Sequence, residues 1–248
     1  MKPWSLGCRF FRGVGLVACI LVAASSTARA EESSWAFLGF SQEGGFAGVE
    51  IFGMHGERES PYSMIRVIDT RANQFIGPPI STCVGQGCEA PKTPDPSLKD
   101  VRAWNREKAK EALAKYHIDA NLQGQRNSLT TKQRVVDQAS GGMARESIQF
   151  RWLDADCVLV LQEVPASNGR DSGSGRPRMI DLRLQRPGSD MILQKDNRIP
   201  QSRGAGIHAY EMDSMMTYGN TIVVVLRYSR PGHPGAETSQ MFVTAAGL

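Results

Sequence analysis

Residue types that could do chemistry are few in this sequence, and they fall in short clusters. Asp171-Ser172-Gly173 sets a hydroxyl between a carboxylate and a glycine, the local order around many serine nucleophiles. A nucleophile needs a rigidly held base and oxyanion donors. Here Arg170 precedes the Asp, the surrounding ASNGRDSGSGR reads as a mobile hairpin tip, and no G-x-S-x-G elbow occurs. His208 with Glu211, and His233 with Glu237, carry metal-ligating types, and His55 stands near Glu57 and Glu59. On a strand, however, His208 and Glu211 point to opposite faces, because side chains alternate with a period of two. Gly204-Ala205-Gly206 lacks the strand before and the helix after that a phosphate-binding loop needs. The sequence therefore assigns no catalytic residue, no metal ligand and no cofactor. A hydrolase, with or without a metal, is the alternative class to a binding protein.

The first thirty residues have the form of an export signal. Lys2, Arg9 and Arg12 make a basic start, Gly13 to Ala24 is apolar, and Ala28-Arg29-Ala30 is a small-x-small cleavage site. The apolar run is shorter than the roughly 20 residues a membrane-spanning helix needs. Leu16-Val17-Ala18-Cys19 also fits a lipidation site, but cutting there leaves the apolar Ile20 to Ala24 at the new terminus. Cleavage after Ala30 is the expectation, giving a secreted or periplasmic protein with no transmembrane segment. The chain holds 29 basic and 25 acidic residues; the leader carries four of the basic and none of the acidic, leaving 25 of each. A chain without net charge has no overall field to attract nucleic acid, which is excluded as the expected partner.

Three cysteines follow the leader: Cys83, Cys88 and Cys157. Export favours a disulfide between Cys83 and Cys88, since Val84-Gly85-Gln86-Gly87 lets the chain fold back. A pair of free thiols is the other reading. Zinc is the weaker one, for want of a neighbouring second pair of ligands. Cys157 opens the apolar run Cys157-Val158-Leu159-Val160-Leu161 and is expected to be a buried, inert thiol.

The elements that must position these groups are mostly strands. Trp35 to Phe40, the turn Ser41 to Gly45, and Phe46 to Phe52 read as a hairpin, followed by a polar loop, Gly53 to Pro61, and a strand, Tyr62 to Asp69. Pro78 to Pro96 reads as an irregular connection. Leu98 to His117 reads as a helix capped by Ser97 with Asp100, its stripe Leu98, Val101, Ala109, Ala112 and Tyr116 facing a sheet, and Glu111 and Lys115 four apart on the outside. Ile118 to Glu146 reads as loop. Strands are predicted at Ser147 to Leu153, Cys157 to Val164 and Arg178 to Gln185, the last pairing with the second. The end of the chain repeats the opening order: Glu211 to Tyr218, a Gly219-Asn220 turn, Thr221 to Tyr228, a polar loop SRPGHPGAET, and Ser239 to Ala245. The expected fold is a single mainly β (α+β) domain, residues 31–248, with antiparallel β-meanders in sandwich-like sheets and one long helix.

The segments FLGFSQEGGFAGVEIFG, PYSMIRVID, RIPQSRG and VVVLRYSRPGHPGAETSQMFVTAAG together resemble a bacterial family of predicted secreted proteins known as domain of unknown function 2259. The resemblance covers essentially the whole mature chain and implies an envelope location and no particular activity. The first loop, HGERES, departs from the family pattern, which is richer in Asp and Gly. F-S-x-E-G-G is also similar to turns of TolB-like propeller blades, but fewer than three such units are visible. With recognition usually carried by loops and no catalytic set in view, the expected function is a non-catalytic binding or accessory protein for an unidentified envelope component.

Overall fold

Alternating apolar residues near the N-terminus form a four-stranded antiparallel meander. The computed structural model describes residues 33–55, 60–84, 95–127, 129–139, 141–166, 177–198, 207–232 and 235–247. In it β1 (Ser33–Ser41), β2 (Phe46–His55), β3 (Ser60–Asp69) and β4 (Gln74–Cys83) pair in sequence order, and β5 (Ile118–Asp119) adds to the far side of β1. Gly44 turns the first hairpin at φ +68, where a Cβ would come within 2.6 Å of Thr221 Oγ1. Its carbonyl accepts hydrogen bonds from the hydroxyls of Thr70 at 2.7 Å and Thr221 at 3.1 Å, tying this turn to the far end of the sequence.

β4 corrects the reading of Pro78 to Pro96 as irregular throughout. Proline cannot donate to a ladder, so it is confined to edges and bulges, and both conditions hold here. β4 is the edge strand, and its register slips so that Gly77, Pro78 and Pro79 stand opposite the single Arg66. Gly77 takes φ +64 to make that bulge.

The helix forms where its capping box predicts. Ser97 accepts from the Asp100 amide while the Asp100 carboxylate accepts from the Ser97 amide, and α1 (Leu98–Lys115) follows. Val101, Asn105 and Ala109 are its buried residues, and it lies on β3, β4, β2 and β5. Trp104 remains exposed. The ion pair on its outer face is Glu107 with Lys110, while Lys115 lies over the Tyr116 ring.

The stretch expected to be loop after the helix contains β5, β6 (Gln125–Asn127), β7 (Gln133–Asp137) and the start of β8 (Met143–Trp152). These pieces are polar because most lie at sheet edges, so apolar periodicity does not reveal them. β7 and β8 join β9 (Ala155–Pro165), β10 (Arg178–Arg186) and β11 (Ser189–Lys195) in the order β11-β10-β9-β8-β7, with β9 and β10 paired as the alternation predicted. Leu153, read as strand, instead turns the β8–β9 hairpin with Asp154, both at positive φ.

The last sheet is β14-β13-β12-β6, built from β12 (Ala209–Tyr218), β13 (Thr221–Gly232) and β14 (Gly235–Ala246). Most of SRPGHPGAET, expected as loop, belongs to the paired strands, whose register runs out to Gly232 opposite Gly235. This sheet is the middle layer of the molecule. Ile222, Val224 and Leu226 of β13 face Leu159, Leu161, Leu182 and their neighbours in the β7–β11 sheet. Val223 and Val225 face Phe40, Ala47, Val49 and Ile68 of the N-terminal meander. The order of layers is α1, N-terminal sheet, C-terminal sheet, β7–β11 sheet; the molecule is mainly β with a single helix among the described residues.

Leu226 and Met216 lie fully buried in the two different cores. Leu226→Ala and Met216→Ala should each cost about 2–5 kcal/mol in urea denaturation, and the double variant should cost their sum to within about 0.5 kcal/mol.

Candidate functional site

Among the described residues, the buried carboxylates Glu50, Glu146 and Glu163 are matched by arginines and hold layers together; the half-buried Arg66 instead lies over the Phe75 ring, its buried Nε without a hydrogen-bond partner. β6 pairs only with Met215 to Thr217, so the first half of β12 is an open edge. Side chains serve that edge in place of a strand. The Tyr210 amide donates to Glu163 Oε1 at 2.8 Å and the Met212 amide to Glu146 Oε2 at 2.7 Å. The carbonyls of the same residues accept from Arg134 Nη1 at 3.3 Å and Lys132 Nζ at 3.2 Å. Both glutamates are buried and carry counter-charges, Arg178 on Glu163 and Arg134 on Glu146.

Glu50 plays a similar part beneath the helix. Fully buried on β2, it accepts from Arg102 Nε and Nη2 at 3.1 and 3.0 Å, from Arg106 Nε and Nη2 at 3.0 and 2.6 Å, and from the Ser63 hydroxyl at 3.0 Å. Asn105 continues the network to Ser63, Thr82 and the Ile80 carbonyl. Burial alone would raise the Glu50 pKa, but the two guanidinium groups outweigh it and hold the carboxyl below its ordinary value.

A different situation exists where β1 faces the C-terminal sheet. A cleft of about 620 Å³ opens there, with Trp35 on one wall and Arg126, Asp213, Arg227 and Gln240 on the other. Its size falls within the usual range for small-molecule sites, about 300–1,000 Å³. The strand register explains the convergence. β12 slips between Met212 and Ser214, and the bulged Asp213 accepts the Trp35 indole N–H at 2.6 Å. Arg126, on β6, donates Nε to the Ser214 hydroxyl at 3.1 Å and sets its guanidinium 5.6 Å from the Trp35 ring centre. Among the described residues, its two terminal nitrogens find no protein acceptor. Arg227 of this cleft pairs with Glu211, which receives Lys132 at 2.6 Å and Arg227 at 2.7 Å; against burial, which pushes it up, these bonds hold its pKa down to about 2.

A second cleft, about 990 Å³, lies between the first hairpin turn and the end of α1, lined by Glu43, Asp69, Arg71, His117 and Asp119 among others. Two of its carboxylates are turn-formers: Asp69 accepts from the Arg71 and Ala72 amides, and Asp119 from Asn121. The first cleft is the better candidate site.

Of the residues singled out in the sequence, Glu211 is the ion-pair partner of Lys132 and of Arg227, the latter a wall of this cleft. His208 precedes β12, its amide bonded to the Ser229 carbonyl, and His55 lies edge-on to Tyr62. No three His, Cys, Asp or Glu side chains among the described residues converge as metal ligands. Cys83 ends β4, and Cys157 is a buried free thiol whose pKa burial pushes up. Cys88, Ala30, Glu57, Glu59, His233, Asp171-Ser172-Gly173 and Gly204-Ala205-Gly206 lie outside the described residues, as does the Glu237 side chain. Arg126 and Asp213 were not singled out. The local signal is Asp213 alternating with Glu211 around the buried Met212.

A family model matches residues 49–246, which span the second strand to the last. The chain belongs to the family described as Predicted secreted protein (DUF2259). Membership makes this a secreted or periplasmic protein, and no helix among the described residues is long and apolar enough to cross a membrane. The family description carries no activity. No curated protein and no solved structure matches the chain.

The depressed carboxyls fix a pH dependence. Glu50 and Glu211 titrate lower in the folded chain than the ordinary 4.5, so their stabilising contribution is present above that value and is lost as pH falls below it, toward about 2 for Glu211. The urea midpoint should drop across this window, and Glu50→Gln and Glu211→Gln should each flatten the drop.

Proposed function

We propose that this DUF2259 protein is a non-catalytic binding or accessory protein of the bacterial envelope, and that the cleft between Trp35 and Arg126 is where it engages its partner or ligand. One observation carries the reading. The arginines against Glu50, Glu146 and Glu163 are matched by carboxylates, whereas Arg126 lines a cleft walled by an indole with two guanidinium nitrogens that have no acceptor among the described residues. Such a group, held in place by Ser214 and the Trp35 ring, offers bidentate donors to an anionic group from outside. No specific observation favours the hydrolase alternative.

The reading extends to processing. Residues 1–30 are the signal peptide, cut after Ala30; residues 31–248 form one domain; and Cys83 is joined to Cys88 in the exported protein. Support comes from the leader's three-part form, from the cores shared between sheets, and from the short glycine-containing spacing of the two cysteines.

Exported wild-type protein, immobilised and washed with a native envelope extract, should retain a component that Arg126→Glu loses and that Lys99→Glu, on the remote helix, keeps. Equal retention by Arg126→Glu, or no retained component, overturns the cleft as the binding site. The same preparation should begin at Glu31 by mass, unfold in one transition, and when denatured take up one alkyl label before reduction and three after, matching its three cysteines. Three labels without reduction would remove the disulfide.

A further inference from the structure

The cleft holds two unmatched groups of opposite sign. Asp213 Oδ2 is taken by the Trp35 indole N–H, while Oδ1 has no donor among the described residues. Arg126 Nε is taken by Ser214, while its terminal nitrogens have no acceptor among the described residues. The two residues line the same cleft, and yet they form no ion pair with each other. Each is held by a neighbour: Asp213 by the β12 bulge and the indole, Arg126 by the Ser214 hydroxyl and the ring face. The other polar walls are already engaged. Gln240 exchanges hydrogen bonds with Ser33, accepting from its hydroxyl at 2.8 Å and donating to its carbonyl at 2.5 Å, and Arg227 is paired with Glu211.

An anion alone would satisfy Arg126 and repel Asp213; a cation alone would do the reverse. A molecule that carries both charges a few bonds apart satisfies both. We infer that the cleft binds a small zwitterion of the amino-acid or short-peptide class, its carboxylate on Arg126 and its ammonium on Asp213. This rests on the cleft being the binding site proposed above, and it narrows the class of ligand.

The Trp35 indole N–H sits within the site and serves as the reporter. Its ¹⁵N–¹H resonance, assigned with Trp35→Phe, would be followed during titration with L-alanyl-L-alanine, with N-acetyl-L-alanine, which keeps only the negative charge, and with L-alanine amide, which keeps only the positive. The Trp152 indole, bonded to the Gly219 carbonyl, and the exposed Trp104 indole are internal controls. The dipeptide should shift the Trp35 signal alone, with a Kd no weaker than about 1 mM, and the two single-charge probes should bind at least about tenfold more weakly. Arg126→Gln, at an exposed position, and Asp213→Asn should each weaken dipeptide binding by at least about tenfold. N-acetyl-L-alanine binding as tightly as the dipeptide would overturn the zwitterion while leaving the cleft as an anion site. No response to any of the three probes would also overturn it, and retention by the Arg126→Glu variant then decides the cleft separately.

Discussion

Burial of β13 on both faces is the constraint on which the rest of the structure depends. An antiparallel strand in a two-layer sandwich usually shows one apolar and one polar face, and a strand covered on both sides reads as an unbroken apolar run. Ile222-Val223-Val224-Val225-Leu226 is such a run, with successive residues entering opposite cores. Each core exists only because a separate sheet supplies its other wall. Once β13 is fixed, the N-terminal meander must cover one face and the β7–β11 sheet the other, since either face left open would expose several fully buried side chains to water.

Stacking three sheets in this way creates edges that must be dealt with, and the chain does so with charged side chains. β12 is longer than the β6 strand beside it, so its first half would present unpaired amides and carbonyls next to a core. Glu146, Glu163, Arg134 and Lys132 reach across from the neighbouring sheet and the segment leading into it, and meet both groups of Tyr210 and of Met212. Buried ion pairs are weak arguments for stability, because desolvation offsets attraction. Here the carboxylates also satisfy backbone donors that no other group reaches, which gives them a positional role: they fix which part of β12 lies against the third sheet. Glu50 with Arg102, Arg106 and Asn105 does the same for the helix, whose narrow apolar stripe of Val101 and Ala109 would not set its rotation alone.

Much of this fold was legible in the chain and most of the site was not, for separate physical reasons. The terminal meanders, the capping box and the β9–β10 pairing depend on residues close in sequence, where periodicity and turn chemistry act directly. β4 was hidden because its two prolines are tolerated only at an edge bulge, and being an edge is a property of the sheet. β6 and β7 were hidden because their side chains are mostly solvent-facing. The meander order also foretold two sheets of similar shape without foretelling that they stack face to face through Phe40, Val49, Val225 and Phe242. The site depends on that stacking. Trp35 meets Asp213 across 178 positions of sequence, and Arg126 meets Ser214 across 88.

The cleft itself follows from the same edge logic. β6 is three residues long, so the C-terminal sheet ends early on that side, while β1 extends past it toward Ser33. At the point where the ladder stops, β12 bulges, and the bulge turns Asp213 toward β1 where regular pleating would hold it in line. Apolar packing cannot close the gap, because the residues arriving there from β6, β12 and β13 are Arg126, Asp213 and Arg227. A strand pair that had to shield a core would carry β-branched residues at these places, as Val225 and Val223 do two and four positions before Arg227 on β13. Charged groups at the mouth of a core, each held by an indole or a serine hydroxyl, mark the place where these sheets stop packing against each other.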